Sequence, residues 1–383
     1  MARARRIAAI SLGLLLIGPG MAMGQELSGK LQPFVEAHSL AGAVALVADR
    51  DGVLGVETAG HADVEAGKPM ARDSLFWIAS QSKPITATAL MMLVDEGKVA
   101  LDDPVAKFLP EFGDLWLTAE RDNDHQLLKR PSRPITIRDI LSHTSGLPFA
   151  SAAEKPTLDA LSLRVCALTY AMTPLQFEPG TKYAYSNAGI NTAGRIIEVV
   201  SGQPYEAFMD SRLFRPLGMK DTTFWPNAEQ LKRLARSYKP DSAKTGLEAT
   251  TIGQLQYPLD NPKRQPMPAG GLFSTADDVA RFCRMILNDG TLDGRRYLSE
   301  KSVREMTRRQ TATDIKESYG LGWSVNGSEF GHGGAMATNM SILRDRGLVL
   351  VYLVQHAGFP NDGAKAQGVF REAAIAKFGK ARP

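Results

Sequence analysis

The strand-like segments of this chain lie near its two ends, and the long middle is mostly helical. Near the start, Ala43 to Val47 is apolar, Asp49 to Gly52 is turn-like and Val53 to Thr58 returns, which predicts a hairpin over residues 42–59. Near the end, Gly322 to Val325, Thr338 to Leu343 and Leu348 to Val354 read as strands. Arg344 to Gly347 turns between the last two, and Ala364 to Phe378 closes the chain as an amphipathic helix. One sheet built from both termini, with a helical insertion between its halves, satisfies this arrangement. The expected class is α/β (α+β): an antiparallel sheet flanked by helices, with residues 25–98 and 263–383 in the sheet domain. Residues 99–262 then form a mostly helical domain.

Within the middle, residues 113–134 are polar, carry Pro131 and Pro134, and read as an exposed excursion. Ile190 to Val200 is helical and stops at Gly202, and Tyr205 to Leu213 is a further helix. Residues 238–262 have few periodic apolar positions and read as loop. Ser274-Thr275-Ala276-Asp277 then opens a helix with a capping pattern, and Asn288-Asp289-Gly290 closes it. The sequence has no internal repeat.

The formal net charge of the 383 residues is +4, and the basic residues are scattered rather than clustered. This argues against a nucleic-acid partner, which needs a basic stripe. Arg3, Arg5 and Arg6 precede an apolar run from Ile7 to Ile17, too short to span a bilayer comfortably. Ala22-Met23-Gly24 then supplies small residues at cleavage spacing, so residues 1–24 read as a secretory signal peptide with a mature start near Gln25. The expected location is periplasmic or secreted, with no membrane span after cleavage. Cys166 and Cys283 sit in apolar helical surroundings and read as buried small hydrophobes. His, Cys and carboxylates do not cluster at metal-ligand spacing. No metal or other cofactor is expected.

The sharpest chemical signal is Ser80-Gln81-Ser82-Lys83, directly after the strand-like Phe76 to Ala79. A helix opening there, with Pro84 in its first turn, puts Ser80 and Lys83 on one face. Its dipole favours negative charge near Ser80. A lysine base at neutral pH must lose roughly three units from about 10.4, or about 4 kcal/mol, which burial and neighbouring dipoles supply. The second element is Tyr185-Ser186-Asn187. A tyrosine can shuttle a proton if a nearby cation lowers its pKa, and an amide can hold both a lysine and a substrate carbonyl. The third is Gly331-His332-Gly333-Gly334-Ala335, before the strand from Thr338. Glycines at a strand edge let a substrate approach closely, and a backbone N–H there can face an oxyanion.

In this order the three segments resemble the serine β-lactamase superfamily, in its class C β-lactamase-like branch. That branch includes class C β-lactamases, D,D-peptidases, D-amino-acid peptidases and family VIII carboxylesterases. Leu141 to Leu147 (LSHTSGL), Pro268 to Leu272 (PAGGL) and Tyr319 to Trp323 (YGLGW) match as well, and the resemblance covers about residues 30–378. It implies the β-lactamase/transpeptidase-like fold, with Ser80 as nucleophile, Lys83 as its basic partner, Tyr185 assisting proton transfer and Asn187 positioning. His332 takes the place of the lysine in the usual K-T-G triplet, beside Gly333 and Gly334, and the N–H groups of Ser80 and Ala335 form the oxyanion hole. A literal K-T-G, Lys244-Thr245-Gly246, is a decoy, because no strand-like segment directly follows it. The segment holding His143 is structural in the family. An α/β-hydrolase elbow is absent, since Gly322-Trp323-Ser324-Val325-Asn326 lacks its second glycine.

A histidine at position 332 is mostly neutral at pH 7 and binds a substrate carboxylate less strongly than a lysine would. The expected reaction is hydrolysis of short-chain carboxylic esters through an acyl-enzyme. The alternative is a β-lactamase, D,D-peptidase or D-aminopeptidase acting on β-lactams or peptidoglycan peptides. A non-catalytic binding protein of the same fold is the remaining possibility, and intact Ser80, Lys83 and Tyr185 argue against it.

Overall fold

A computed structural model describes residues 19–379. Residues 1–18, which carry most of the expected leader, lie outside the described residues. The chain runs through helix α1 (Pro19–Glu36) and then strands β1 (Gly42–Ala48), β2 (Val53–Asp63) and the short β3 (Lys68–Pro69). Helices α2 (Ser82–Asp95), α3 (Ile137–Ser142), α4 (Leu163–Ala171), α5 (Asn187–Ser201) and α6 (Ala276–Leu287) follow. Strands β4 (Ser324–Asn326), β5 (Glu329–Gly333), β6 (Asn339–Leu343) and β7 (Leu348–Leu353) complete the sheet before helix α7 (Ala366–Phe378).

The seven-stranded sheet has the order β4-β5-β6-β7-β1-β2-β3 and is antiparallel throughout. Its centre joins the two ends of the chain: Val44 pairs with Leu353, Leu46 with Val351 and Ala48 with Val349. Every residue of β1 and β7 is buried, so these strands read as unbroken apolar runs. The pleat sends alternate side chains to opposite faces. Val44, Leu46, Ala48, Val349, Val351 and Leu353 face the core that holds α2 and α6. Ala43, Ala45, Val47, Leu348, Leu350 and Val354 face a second core with Leu27 and Leu31 of α1 and with Ala366, Phe370 and Ala374 of α7. None of the sheet's strands lies between Pro69 and Ser324.

Helix α2 is buried from Ser82 to Leu93. An all-round buried helix has no solvent face, which explains its weak amphipathic pattern. Gly97 ends it with φ 71°, as its place just past the helix predicts. Cys166 on α4 and Cys283 on α6 are free and buried. Two stretches differ from their sequence reading in detail. The excursion at 113–134 holds a short hairpin, Leu117–Arg121 with Gln126–Lys129. The stretch read as loop at 238–262 begins with another, Ser237–Pro240 with Leu247–Thr250. Such short two-stranded ribbons are held by backbone pairing and neighbouring chain rather than by an apolar pattern of their own.

Candidate active site

Ser80 stands on a tight turn. The strand pair Phe76–Trp77 with Phe273–Ser274 delivers the chain to a 3-10 turn at Ala79–Gln81 that runs straight into α2. Ala79 adopts φ 46°, an uncommon left-handed conformation for a residue with a Cβ. Its neighbours hold it there: Ile78 N–H donates to Leu272 O at 3.0 Å and Trp77 Nε1–H to Gly270 O at 2.7 Å.

One turn along α2, the fully buried Lys83 places Nζ 3.1 Å from Ser80 Oγ, 2.8 Å from Asn187 Oδ1 and 2.7 Å from Ala269 O. Burial holds this amine well below the ordinary lysine range. Asn187 Oδ1 and Ala269 O can only accept, so they take two N–H bonds. In the neutral amine the lone pair is then left facing the Ser80 hydroxyl. That geometry lets Lys83 receive the Ser80 proton.

Helix α5 begins at Asn187, capped by Ser186, whose Oγ accepts from Gly189 N–H at 3.0 Å and donates to Pro148 O at 2.6 Å. Immediately before the cap, Tyr185 places its ring centroid 4.6 Å from Lys83 Nζ. Its phenol is pushed up to about 12 by burial, opposed by a hydrogen bond with Ser80. This corrects the expectation of a phenol acidified by a cation: the buried Lys83 is not held as a permanent ammonium, and desolvation dominates. Tyr185 therefore carries its proton at neutral pH.

His143 closes α3 at φ 62°. Its Nδ1 accepts from Ser186 N–H at 3.2 Å, and its carbonyl accepts from Ala184 N–H at 2.9 Å. Its ring lies 4.6 Å from that of Tyr185. It thus shapes the turn that presents Tyr185, in keeping with a structural role.

His332 on β5 is buried, with Nδ1 2.7 Å from Gly333 O and Nε2 3.0 Å from Tyr319 Oη. A carbonyl only accepts, so Nδ1 carries the proton and Nε2 accepts from the Tyr319 hydroxyl. Burial pushes the imidazole down to about 3. Just beyond, Gly334 N–H donates to Thr338 O at 2.8 Å. A Cβ on Gly334 would stand 2.2 Å from Thr338 Oγ1 and 2.5 Å from Ile78 O. Only glycine lets this strand end lie against the turn that carries Ser80. Gly333 and Ala335 are exposed at the mouth of the site. Among the described residues, no turn, loop or cap hydrogen bond uses the N–H of Ser80 or of Ala335.

The structure thus gathers Ser80, Lys83, Tyr185 and Asn187 in one site, with His332, Gly333 and Gly334 on the strand end beside it. Against the sequence reading, a strand, Leu247–Thr250, does directly follow Lys244-Thr245-Gly246, but the triplet is elsewhere, in a hairpin turn where Thr245 N–H donates to Asp241 Oδ1 at 3.0 Å. Thr245 and Gly246 line a separate groove with His38 and His61. Two participants carry no signature of their own in the sequence. Ala269 acts through its backbone carbonyl, and Tyr319 is known as a partner of His332 only from the fold. Both lie in segments, Pro268 to Leu272 and Tyr319 to Trp323, that had matched the family pattern. Among the described residues, no cluster of His, Cys, Asp or Glu fits a metal ion, and no helix is long and apolar enough to cross a membrane.

A family model described as Beta-lactamase matches residues 27–374. Protein Rv1367c of Mycobacterium tuberculosis is 36% identical over 322 residues, covering 81% of this chain and 77% of the relative. Esterase EstB of Burkholderia gladioli is 33% identical over 310 residues, 74% of each chain. Penicillin-binding protein 4 of Amycolatopsis lactamdurans is 32% identical over 320 residues, 80% of this chain and 78% of that one. Among solved structures, EstCE1, a hydrolase with promiscuous acyltransferase activity, superposes with a TM-score of 0.75 at 24% identity, over 91% of this chain and 97% of its own. With the match running from α1 to α7 and a serine one helical turn from a buried lysine, the chain belongs to the beta-lactamase family, in its class C-like branch.

Proposed function

We propose that this serine hydrolase of the beta-lactamase family cleaves short-chain, uncharged carboxylic esters through a covalent acyl-enzyme on Ser80. The observation that carries the reading is the buried Lys83 amine, with two acceptors on its N–H groups and Ser80 Oγ at 3.1 Å. In the proposed reaction the Ser80 proton passes to Lys83 Nζ as Oγ bonds to the ester carbonyl carbon. The oxyanion is met by the N–H groups of Ser80 and Ala335, and each such donor typically contributes about 10²–10³ in rate. The C–O bond to the alcohol then breaks, the phenol of Tyr185 protonates the leaving oxygen, and Lys83 returns a proton to Tyr185. Water repeats the sequence on the acyl-enzyme, giving the acid and free Ser80.

The substrate class rests on His332. Both of its ring nitrogens are engaged within the protein, and it is neutral where the lysine of a K-T-G triplet would carry a cation. A carboxylate-bearing substrate gains no ion pair there, whereas a neutral ester needs none. The name of the relative EstB supports the same reading. The second reading, a β-lactamase or D,D-peptidase, is favoured by the relative named as a penicillin-binding protein. It also suits export by the leader-like residues 1–24, which is part of the proposal. Rates on p-nitrophenyl butyrate, nitrocefin and a D-Ala-D-Ala peptide decide. The ester is expected to turn over fastest, and faster cleavage of nitrocefin overturns the ester assignment. A fluorophosphonate probe should label the protein and fail to label Ser80→Ala; no labelling of the native protein would leave a binding protein as the better account.

A further inference from the structure

The Ala269 carbonyl that meets Lys83 lies on a peptide whose Gly270 N–H donates to Met267 O at 3.1 Å, and the N–H of Ala269 itself, on the preceding peptide, is held by helix α5. Asn191 Oδ1 accepts from Ala269 N–H at 3.0 Å, and Asn191 Nδ2 donates to Tyr170 Oη at 3.0 Å. The Tyr170 hydroxyl donates to Glu154 Oε1 at 2.8 Å, and Glu154 Oε2 accepts from Ser151 N–H at 2.7 Å. Glu154, Tyr170, Asn191 and Ala269 are 5%, 0%, 2% and 0% exposed, so water does not compete for these bonds. Asn191 lies one turn after Asn187 on α5, on the same face. The helix therefore reaches Lys83 twice: directly through Asn187 Oδ1, and through the backbone of Ala269 by way of Asn191. The chain of bonds also has a direction. Glu154 accepts at both oxygens, so Tyr170 must donate to it and accept from Nδ2, which leaves Oδ1 for Ala269 N–H.

Resting on the reading of Lys83 as the base, we propose that Glu154, Tyr170 and Asn191 are positioning residues for that base. They fix the backbone of Ala269 at its N–H, across the Cα from its carbonyl, so that the carbonyl occupies one N–H of the amine and aims the lone pair at Ser80. The loop also has anchors outside this chain: Pro268 O accepts from Thr86 Oγ1 at 2.8 Å, and Gly270 O from Trp77 Nε1–H at 2.7 Å. If those suffice, the polar chain is only packing, and the two accounts differ in the pH profile. A carbonyl accepts more strongly from an ammonium than from an amine, so loosening Ala269 lowers the basicity of Lys83 further while spoiling its aim. The other titratable groups facing Lys83 are His143, His332 and Tyr185.

The test is the pH dependence of p-nitrophenyl butyrate hydrolysis in Tyr170→Phe, Asn191→Ala and the control Cys166→Ala. Cys166 Sγ donates weakly to Glu154 Oε1 at 4.0 Å and to Leu161 O at 3.6 Å, a side branch that links nothing to Lys83. Tyr170→Phe and Asn191→Ala are each expected to lower kcat about tenfold with KM changed less than about twofold, and to move the acid limb of kcat/KM down by about half a pH unit. Cys166→Ala should keep kcat and the limb. An unmoved limb in both variants, or losses that merely parallel Cys166→Ala and thermal stability, overturns the proposal. Full activity in Lys83→Ala would instead sink the underlying assignment of the base.

Discussion

The hydroxyl of Tyr319 lies 3.0 Å from Nε2 of His332, while Nδ1 of the same ring is spent on Gly333 O at 2.7 Å. The two bonds lock the imidazole in one neutral tautomer at the strand end where a substrate's polar group would arrive. Burial supplies the energy for neutrality, and the hydroxyl supplies its geometry.

Replacing this neutral ring by a cation should change which substrates are favoured. His332→Lys is expected to raise kcat/KM for a carboxylate-bearing cephalosporin about tenfold relative to p-nitrophenyl butyrate, the worth of one charge-assisted hydrogen bond. Steady-state rates on the two substrates check this. An unchanged ratio would mean that the side chain at 332 does not meet the substrate's acidic group.

Lys83 and Tyr185 are shifted in ways that set the pH profile. Burial lowers the amine and raises the phenol to about 12. The proposed mechanism needs the amine neutral and the phenol protonated, so kcat/KM should rise with pH through the depressed Lys83 value and then stay level to about pH 10. A basic limb near pH 8 would contradict the assignment of Tyr185 as the proton donor.

Ser80 and Lys83 are expected to act as a unit. Ser80→Ala and Lys83→Ala should each reduce ester hydrolysis by about 10⁴ or more, and the double variant should be little worse than either single one. Multiplicative losses in the double variant would show two independent contributions.

Gly334 admits no side chain. In Gly334→Ala the new methyl would meet Thr338 Oγ1 and Ile78 O well inside contact distance, so either the strand end or the Ser80 turn must shift. A fall of about 10² in kcat is expected, since a misplacement of about 1 Å costs that much. Activity of native magnitude, measured on a variant with a native circular dichroism spectrum, would show that the turn tolerates the displacement.

Three buried histidines should make the fold acid-sensitive, and burial holds one of them, His143, well below its ordinary value. His332 is pushed down to about 3 and His356 to about 4 from an ordinary 6.5, each chiefly by burial. The unfolded chain then binds more protons below pH 6.5, so this stability is complete above 6.5 and is lost as pH falls toward 4 for His356 and toward 3 for His332. Each contributes roughly 2 kcal/mol of loss at pH 5. Urea midpoints at pH 7 and 5 should reflect this, and His356→Gln should shrink the difference. Its amide oxygen can still accept from Ala41 N–H, which lies 3.1 Å from His356 Nε2 in the native protein. A difference undiminished in that variant would place the acid sensitivity elsewhere.

Much of the site is legible in the chain because its parts are local. Ser80 and Lys83 are three residues apart at a helix opening, and helical geometry alone brings them to one face. The apolar runs of β1 and β7 announce strands buried on both sides, and Gly97 and Gly202 mark helix ends through their left-handed backbone. What the sequence could not carry is whatever depends on distant segments meeting. The Ala269 carbonyl has no side-chain signature, and Tyr319 reaches His332 only because β4 and β5 fold back on one another. The basicity of Lys83 and the acidity of Tyr185 follow from how much water the packed helices exclude. Residue identity determined the groups proposed to react; tertiary burial determined their protonation, because desolvation is a property of surroundings assembled from the whole chain.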